Sequence, residues 1–164
     1  VTDKLKPALE AVRDALIAGT TDVNVYAHPY DFLDGNGAYE MPASFASYPT
    51  IIVNHIETEA SNVGGEASRG ICNDFWRLTL EVVVLVYEGG QFTDTQWTEA
   101  KGAAAGWVET IHGVFAPDET FGRVFAQTPN RNTPMFSQIR CGHINWGGLL
   151  NYGWRLWKPV SIEL

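Results

Sequence analysis

The segment from Trp76 to Tyr87 constrains the fold of this chain more than any other. Trp76, Leu78, Leu80, Val82, Val84 and Val86 recur at every second position, which is the period of a strand whose alternate side chains share one face. The opposite face changes along its length, since Arg77, Thr79 and Glu81 are polar while Val83, Leu85 and Tyr87 are not. Such a strand calls for cover on one side of its first half and on both sides of its second. At twelve residues it also exceeds the usual length of about 5 or 6. The excess predicts a strand that projects beyond its own sheet, where pairing with another subunit would cover it.

The remaining elements arrange themselves around this strand. Leu5, Leu9, Val12 and Leu16 fall at helical spacing, with Thr2 or Asp3 as N-cap, Pro7 in the tolerant first turn and Gly19 at the end. Lys6, Glu10, Arg13 and Asp14 occupy the other side of that helix, so it is amphipathic and lies on an apolar surface. Asp22 to His28 alternates until Pro29 and reads as a short strand; Thr50 to Glu57 is β-branched enough for a second. Thr58 to Asn73 reads as a small-residue loop. Thr93 with Gln96 forms a capping-box signature, and Trp97, Ala100, Ala104, Trp107, Val108 and Ile111 continue as a helix until Gly113. Its stretch from Gly102 to Gly106 lowers helix propensity, which predicts close approach of that backbone to a sheet or a neighbouring helix. Phe121 to Ala126 suggests a short strand, and Thr128 to Pro134 an exposed polar loop. Phe136 to Trp146 and Tyr152 to Leu164 are strands joined through Gly147-Gly148, with Pro159 favouring an edge or a bulge. The order α-β-β-β-α-β-β, without repeat or linker, predicts one domain over residues 1–164. Its class is α+β: a mostly antiparallel sheet with two main helices packed against it and long loops.

Composition narrows the function classes. A chain with 45% hydrophobic and 18% charged residues is not of the disordered type. The longest apolar run, Val82 to Val86, is far short of the roughly 18 residues of a membrane span, and the N-terminus has no signal-peptide h-region. No membrane association is expected. Cys72 and Cys141 are the only cysteines and fit no ligand spacing, so two reduced thiols in a reducing cytoplasm are expected. A formal charge of −8 opposes tight nucleic-acid binding, although an acidic surface suits DNA that must pass without sticking.

Motifs that carry chemistry are missing from the sequence. His28, His55, His112 and His143 show no HxxxH or HxH spacing, and His112 near a helix C-terminus has a ready role beside the helix dipole. Asp31, Asp34, Asn36 and Glu40 around Gly35 and Gly37 superficially suggest a calcium loop, but their spacing fails the EF-hand pattern and predicts a solvated turn. There is no GxSxG elbow and no phosphate-binding glycine loop. Trp76, Trp97, Trp107 and Trp154 fall on faces assigned to the core, where packing explains them better than sugar stacking. No catalytic residue, metal site or cofactor is therefore expected, and no enzyme. The segment from Pro29 to Pro49, with three prolines and a high density of aromatics, is the more promising surface. Phe32, Tyr39, Met41, Phe45 and Tyr48 are its candidate oligomer or partner contacts.

In the order of its elements the chain resembles the tail terminator proteins of long-tailed bacteriophages and the related neck components. The segments that carry the resemblance are an N-terminal helix from Lys4 to Ala18, a short strand from Val23 to Pro29, the strand Tyr48 to Val53, the long Trp-led strand Trp76 to Tyr87, the helix Thr95 to His112 and a C-terminal β portion. The resemblance implies a structural virion protein: a homohexameric ring that stops tail-tube polymerisation. It would meet the tail-tube protein on one side and the head-tail connector or stopper on the other. DNA would pass through its lumen without specific binding, and its place would be the tail or neck of a virion assembled in the host cytoplasm. A head-tail stopper, another neck protein or a tail-tube subunit shares the same composition. From a different class, a carbohydrate- or calcium-binding module would use the exposed aromatics or the Asp31 to Glu40 turn.

Overall fold

The computed structural model describes residues 3–40, 49–61, 75–88, 93–126 and 134–163. Helix α1 (Leu5–Gly19) leads to strand β1 (Asn24–Ala27), a 3₁₀ turn at Tyr30–Phe32 and the hairpin of β2 (Thr50–Ser61) with β3 (Phe75–Glu88). Helix α2 (Asp94–Phe115) precedes a second hairpin, β4 (Gln138–Trp146) with β5 (Leu149–Glu163). The five strands form one sheet in the order β1-β2-β3-β5-β4. Of the four strand pairs only β1–β2 is parallel. The α+β class with a mostly antiparallel sheet is thus the observed one.

The alternation of β3 does what its period requires. Leu78, Leu80, Val82, Val84 and Val86 join Ile51, Val53 and Leu156 in a core closed by Leu9, Val12 and Leu16 of α1 and by Ile111 and Phe115 of α2. Val83 and Leu85 belong to a smaller cluster on the opposite face, with Phe32, Ile52 and Ile144. The expected projection of β3 is not found. It is the central strand, paired with β2 from Phe75 to Leu85 and with β5 from Phe75 to Glu88, so its length is used inside the subunit. Glu81, expected on a solvated face, is 1% exposed and accepts a 2.7 Å hydrogen bond from Trp157 Nε1.

Helix α2 begins as read, with Thr93 and Gln96 forming a complete capping box. The N-cap position of α1 is Lys4, without a side-chain cap, rather than Thr2 or Asp3; Asp3 Oδ1 still accepts from the amides of Leu5 and Lys6 in the first turn. Gly19 is the last residue of α1, and its missing side chain matters more than its position, since a Cβ there would stand 2.5 Å from Val114 Cγ2. The glycines of α2 behave differently. At Gly102 and Gly106 a Cβ would meet nothing within 4 Å among the described residues, so close approach to those residues does not explain them. Gly113 does not end α2, because Phe115 lies one turn beyond Ile111 and completes the buried stripe.

Residues 121–126 form no strand. Asp118 accepts hydrogen bonds from the amides of Thr120 and Gly122 and draws the chain into a tight turn. Phe121, Gly122 and Arg123 in that turn all have positive φ, at 48°, 70° and 69°. Strand β2 continues to Ser61, three residues beyond the Thr58 boundary of the expected loop, because β3 offers partners as far as Phe75. The remainder of that loop, residues 128–133 and Cys72 lie outside the described residues.

The last hairpin closes on Gly147 and Gly148, with φ of 60° and 82°, the two left-handed residues that a two-residue hairpin turn requires. Pro159 sits where its missing amide costs nothing. The carbonyls of Trp157 and Ser161 face the β4 side, toward the amides of Ser137 and Ala126, and β4 pairs no further than Trp157. Gly153 allows the hairpin to curl, since a Cβ there would overlap the carbonyl oxygen of Val84 and stand 2.9 Å from its carbon. The ladder shifts register beside it, between Leu85 and Tyr87. The curl brings Trp146, on the strand at one end of the sheet order, to a ring distance of 5.2 Å from His28, which follows the strand at the other end.

Candidate partner interface

The loop after β1 is built from its own polar groups. Asp31 accepts from Arg13 Nη1 at 2.8 and 3.0 Å and from the amide of Ala27 at 2.6 Å, which ties the 3₁₀ turn to α1 and to the end of β1. Arg13 also bonds Asp14. Its own ionisation is raised by these carboxylates against the opposing effect of burial, the largest single influence. Asp34 turns its carboxylate onto the amides of Asn36 and Ala38 at 2.8 and 2.9 Å, and its backbone pairs with Ala38 and Gly37. That is the solvated turn expected from the sequence. Among the described residues no group of three or more His, Cys, Asp or Glu could hold a metal ion. A shallow depression of about 370 Å³ lies beside this turn, lined by Tyr26, Asp31, Phe32, Leu33, Asp34 and Glu40.

The aromatic residues of the loop divide between core and surface. Phe32 is only 6% exposed, packed in the second cluster with Ile52, Val83 and Leu85, and has little surface left for a partner. Tyr39 is 51% exposed and its hydroxyl lies 2.9 Å from His28 Nε2. Met41, Phe45 and Tyr48 lie outside the described residues. His28 is the hub of this corner. Its Nδ1 is 3.1 Å from Asn54 Oδ1, and its ring touches Phe32, Tyr39 and Trp146. Burial lowers its pKa against the opposing hydrogen bond that it donates to Asn54 Oδ1, so the neutral imidazole is favoured.

The other histidines stand apart. His55 Nε2 meets Thr58 Oγ1 at 2.7 Å, His112 is in the last turn of α2 and the His143 ring packs on Tyr152. Cys141 is exposed and free. Its sulfur lies 3.2 Å from the Tyr152 hydroxyl, and a hydrogen bond from the phenol to the sulfur, together with burial, pushes the Tyr152 pKa up to about 12. Trp107 and Trp154 pack against the main core and Trp76 is half-buried, consistent with packing roles. The Trp97 side chain lies outside the described residues.

Two surfaces were not anticipated. The first is the outer side of β4, the terminal strand of the sheet. The hairpin turn closes on the Trp146–Leu149 pair, and antiparallel alternation then directs the peptide groups of Ile139, Cys141 and Asn145 away from β5. Ile139 is 44% and Leu150 38% exposed. The signal available in the sequence was the glycine turn followed by the longest remaining strand, which leaves Phe136 to Trp146 with one neighbour only. The second surface is the sheet face opposite the helices, where Arg140 and Arg155 stand directly across from one another. Arg155 Nη1 reaches Glu81 Oε2 only at 3.7 Å. Arg140 has no carboxylate within ion-pair distance among the described residues and is met instead by the side-chain amide of Gln138, whose oxygen, with the amide turned over, lies 2.7 and 2.8 Å from Nε and Nη2. Like charges opposed across strands disfavour the isolated subunit. No helix of the structure is long and apolar enough to cross a membrane. No protein-family model matches the chain, and no curated protein sequence matches it.

Proposed function

We propose that this protein is a ring-forming structural subunit of the tail terminator type, capping a phage tail tube and joining it to the head-side connector. The reading rests on the resemblance in element order. The observation that gives it physical content is the flank of the sheet, open among the described residues: a nine-residue terminal strand that carries exposed Ile139. Unpaired strand edges of this length are avoided or protected in proteins that work alone. The charge of −8 suits a lumen that DNA crosses without adhering. Native mass spectrometry and negative-stain micrographs, with and without the tail-tube protein, test the proposal. A ring with a central hole is expected; a strictly monomeric species under both conditions would overturn it.

A further inference from the structure

We infer that the arginine-bearing sheet face of one copy docks on the outer face of α2 of the next, and that this contact propagates the ring. The inference rests on the ring reading above and specifies its interface. Arg140 and Arg155 place two guanidinium groups opposite each other with one carboxylate, Glu81, near only one of them and itself buried. Arginine in this situation favours a carboxylate or phosphate that it can grip with paired N–H donors. Arg77, exposed on the same face, stands between Ser161 of β5 and Glu59 of β2 and makes no ion pair among the described residues. It therefore lies six residues of strand from Arg155, about 20 Å. Trp157, half-buried and fixed by Glu81, stands between these two positive stations.

The outer face of α2 has the complementary form. Glu99, Gly102, Gly106 and Glu109 follow at intervals of three, four and three residues, so they share one stripe of the helix. All four are exposed. Neither glutamate has a cation within ion-pair distance among the described residues, and a Cβ at either glycine would meet nothing. Two carboxylates about 15 Å apart thus flank a stretch of bare backbone. An arginine at each end and a tryptophan between them fit that arrangement, and flexible arginine side chains span the difference of about 5 Å. The two surfaces are different patches of one molecule, so the contact is head-to-tail, the kind that closes into a ring rather than a two-fold dimer. A second copy is favoured over DNA as the occupant because 19 acidic residues against 11 basic ones repel a polyanion.

The test uses a triple and a double variant, Arg77→Glu with Arg140→Glu and Arg155→Glu, and Glu99→Arg with Glu109→Arg, each checked for folding by circular dichroism and weighed by mass photometry. Where the wild type assembles, each variant alone is expected to lose at least ten-fold in oligomer population. An equimolar mixture is expected to regain the wild-type subunit count with the two variants alternating, because every contact is then complementary. If either folded variant assembles alone like the wild type, or the mixture stays monomeric, the inference fails while the ring reading stands. If the wild type is itself monomeric alone and with tail-tube protein, both fall. Wild-type assembly of the arginine variant together with lost retention of duplex DNA would assign the patch to phosphate and also overturn the inference.

Discussion

Replacing Gly153 with alanine tests whether the curl of the sheet is set by one missing side chain. The added methyl would overlap the Val84 carbonyl oxygen and stand 2.9 Å from its carbon and 3.2 Å from Leu85 Cα, all rigid backbone of the central strand. Ordinary contact begins near 3.4 Å, so β5 must retreat from β3 by about 1 Å or more at this point. A ladder hydrogen bond of about 2.9 Å stretched by that amount is no longer one. Two bonds flanking the site contribute roughly 1 kcal/mol each. Loosening of the hairpin tip over Phe32, Ile52 and Val83 adds about 1–2 kcal/mol of lost apolar burial. The sum is about 3–4 kcal/mol, which for a domain of 164 residues corresponds to a melting temperature lower by roughly 10 °C. Thermal and urea unfolding followed by circular dichroism measure it. A variant melting within about 2 °C of the wild type would refute the argument that the close β3–β5 approach shapes the sheet.

Three further outcomes are expected. His28 has a folded-state pKa below its unfolded value of about 6.5, so the unfolded chain binds the extra proton and stability falls as pH drops below about 6.5, levelling off under the folded pKa; His28→Gln should flatten urea midpoints measured from pH 7.5 to 5. Lys158, 4% exposed, has its ammonium 2.6 Å from Glu119 and near the Phe115 and Phe136 rings. Glu119→Ala leaves that charge with the Met135 carbonyl alone and should cost about 3 kcal/mol, whereas Lys158→Met should change stability by less than about 1 kcal/mol, both read from chemical denaturation. Thr93→Ala removes the α2 capping box and should cost about 1 kcal/mol, a value near zero in the same assay counting against a stable first turn.

What could be read from the sequence was whatever a single period or a local pair determines. The alternation of Trp76 to Tyr87 fixed a strand with unequal faces, and Thr93 with Gln96 fixed a helix start, because each signal is complete within a few residues. The failures share the opposite character. Phe121 to Ala126 has the composition of a strand, but the Asp118 carboxylate competes for its amides and wins a turn. Glu81 looks solvated until Trp157, 76 positions away, supplies a donor. Phe32 looks available to a partner, yet the curl of a hairpin more than a hundred residues later carries Ile144 and Trp146 over it. No local pattern encodes that curl, and the candidate interface inherits the gap. The terminal position of β4 depends on strand order, and the Arg140–Arg155 opposition depends on register.

The same curl decides how the second face of the sheet is divided. At the end where β5 crosses β3 at Gly153, the hairpin folds over Ile52, Val83 and Leu85 and finishes a small core. At the other end Arg77 and Thr79 have no comparable apolar cluster among the described residues, and Trp157 covers Glu81 alone. A flat sheet would leave Ile52 and Val83 exposed and separate Trp146 from His28; a sheet curled along its whole length would bury the arginines. The single close approach at Gly153 gives neither, and leaves a polar strip held rigid by the β3–β5 ladder on which Trp157 is fixed by Glu81 before any partner arrives. Preorganisation of that kind lowers the ordering cost of association. Gly153→Ala should therefore weaken assembly even at temperatures where the variant remains folded, and undiminished assembly by a folded Gly153→Ala protein would show that the strip and the curl are unconnected.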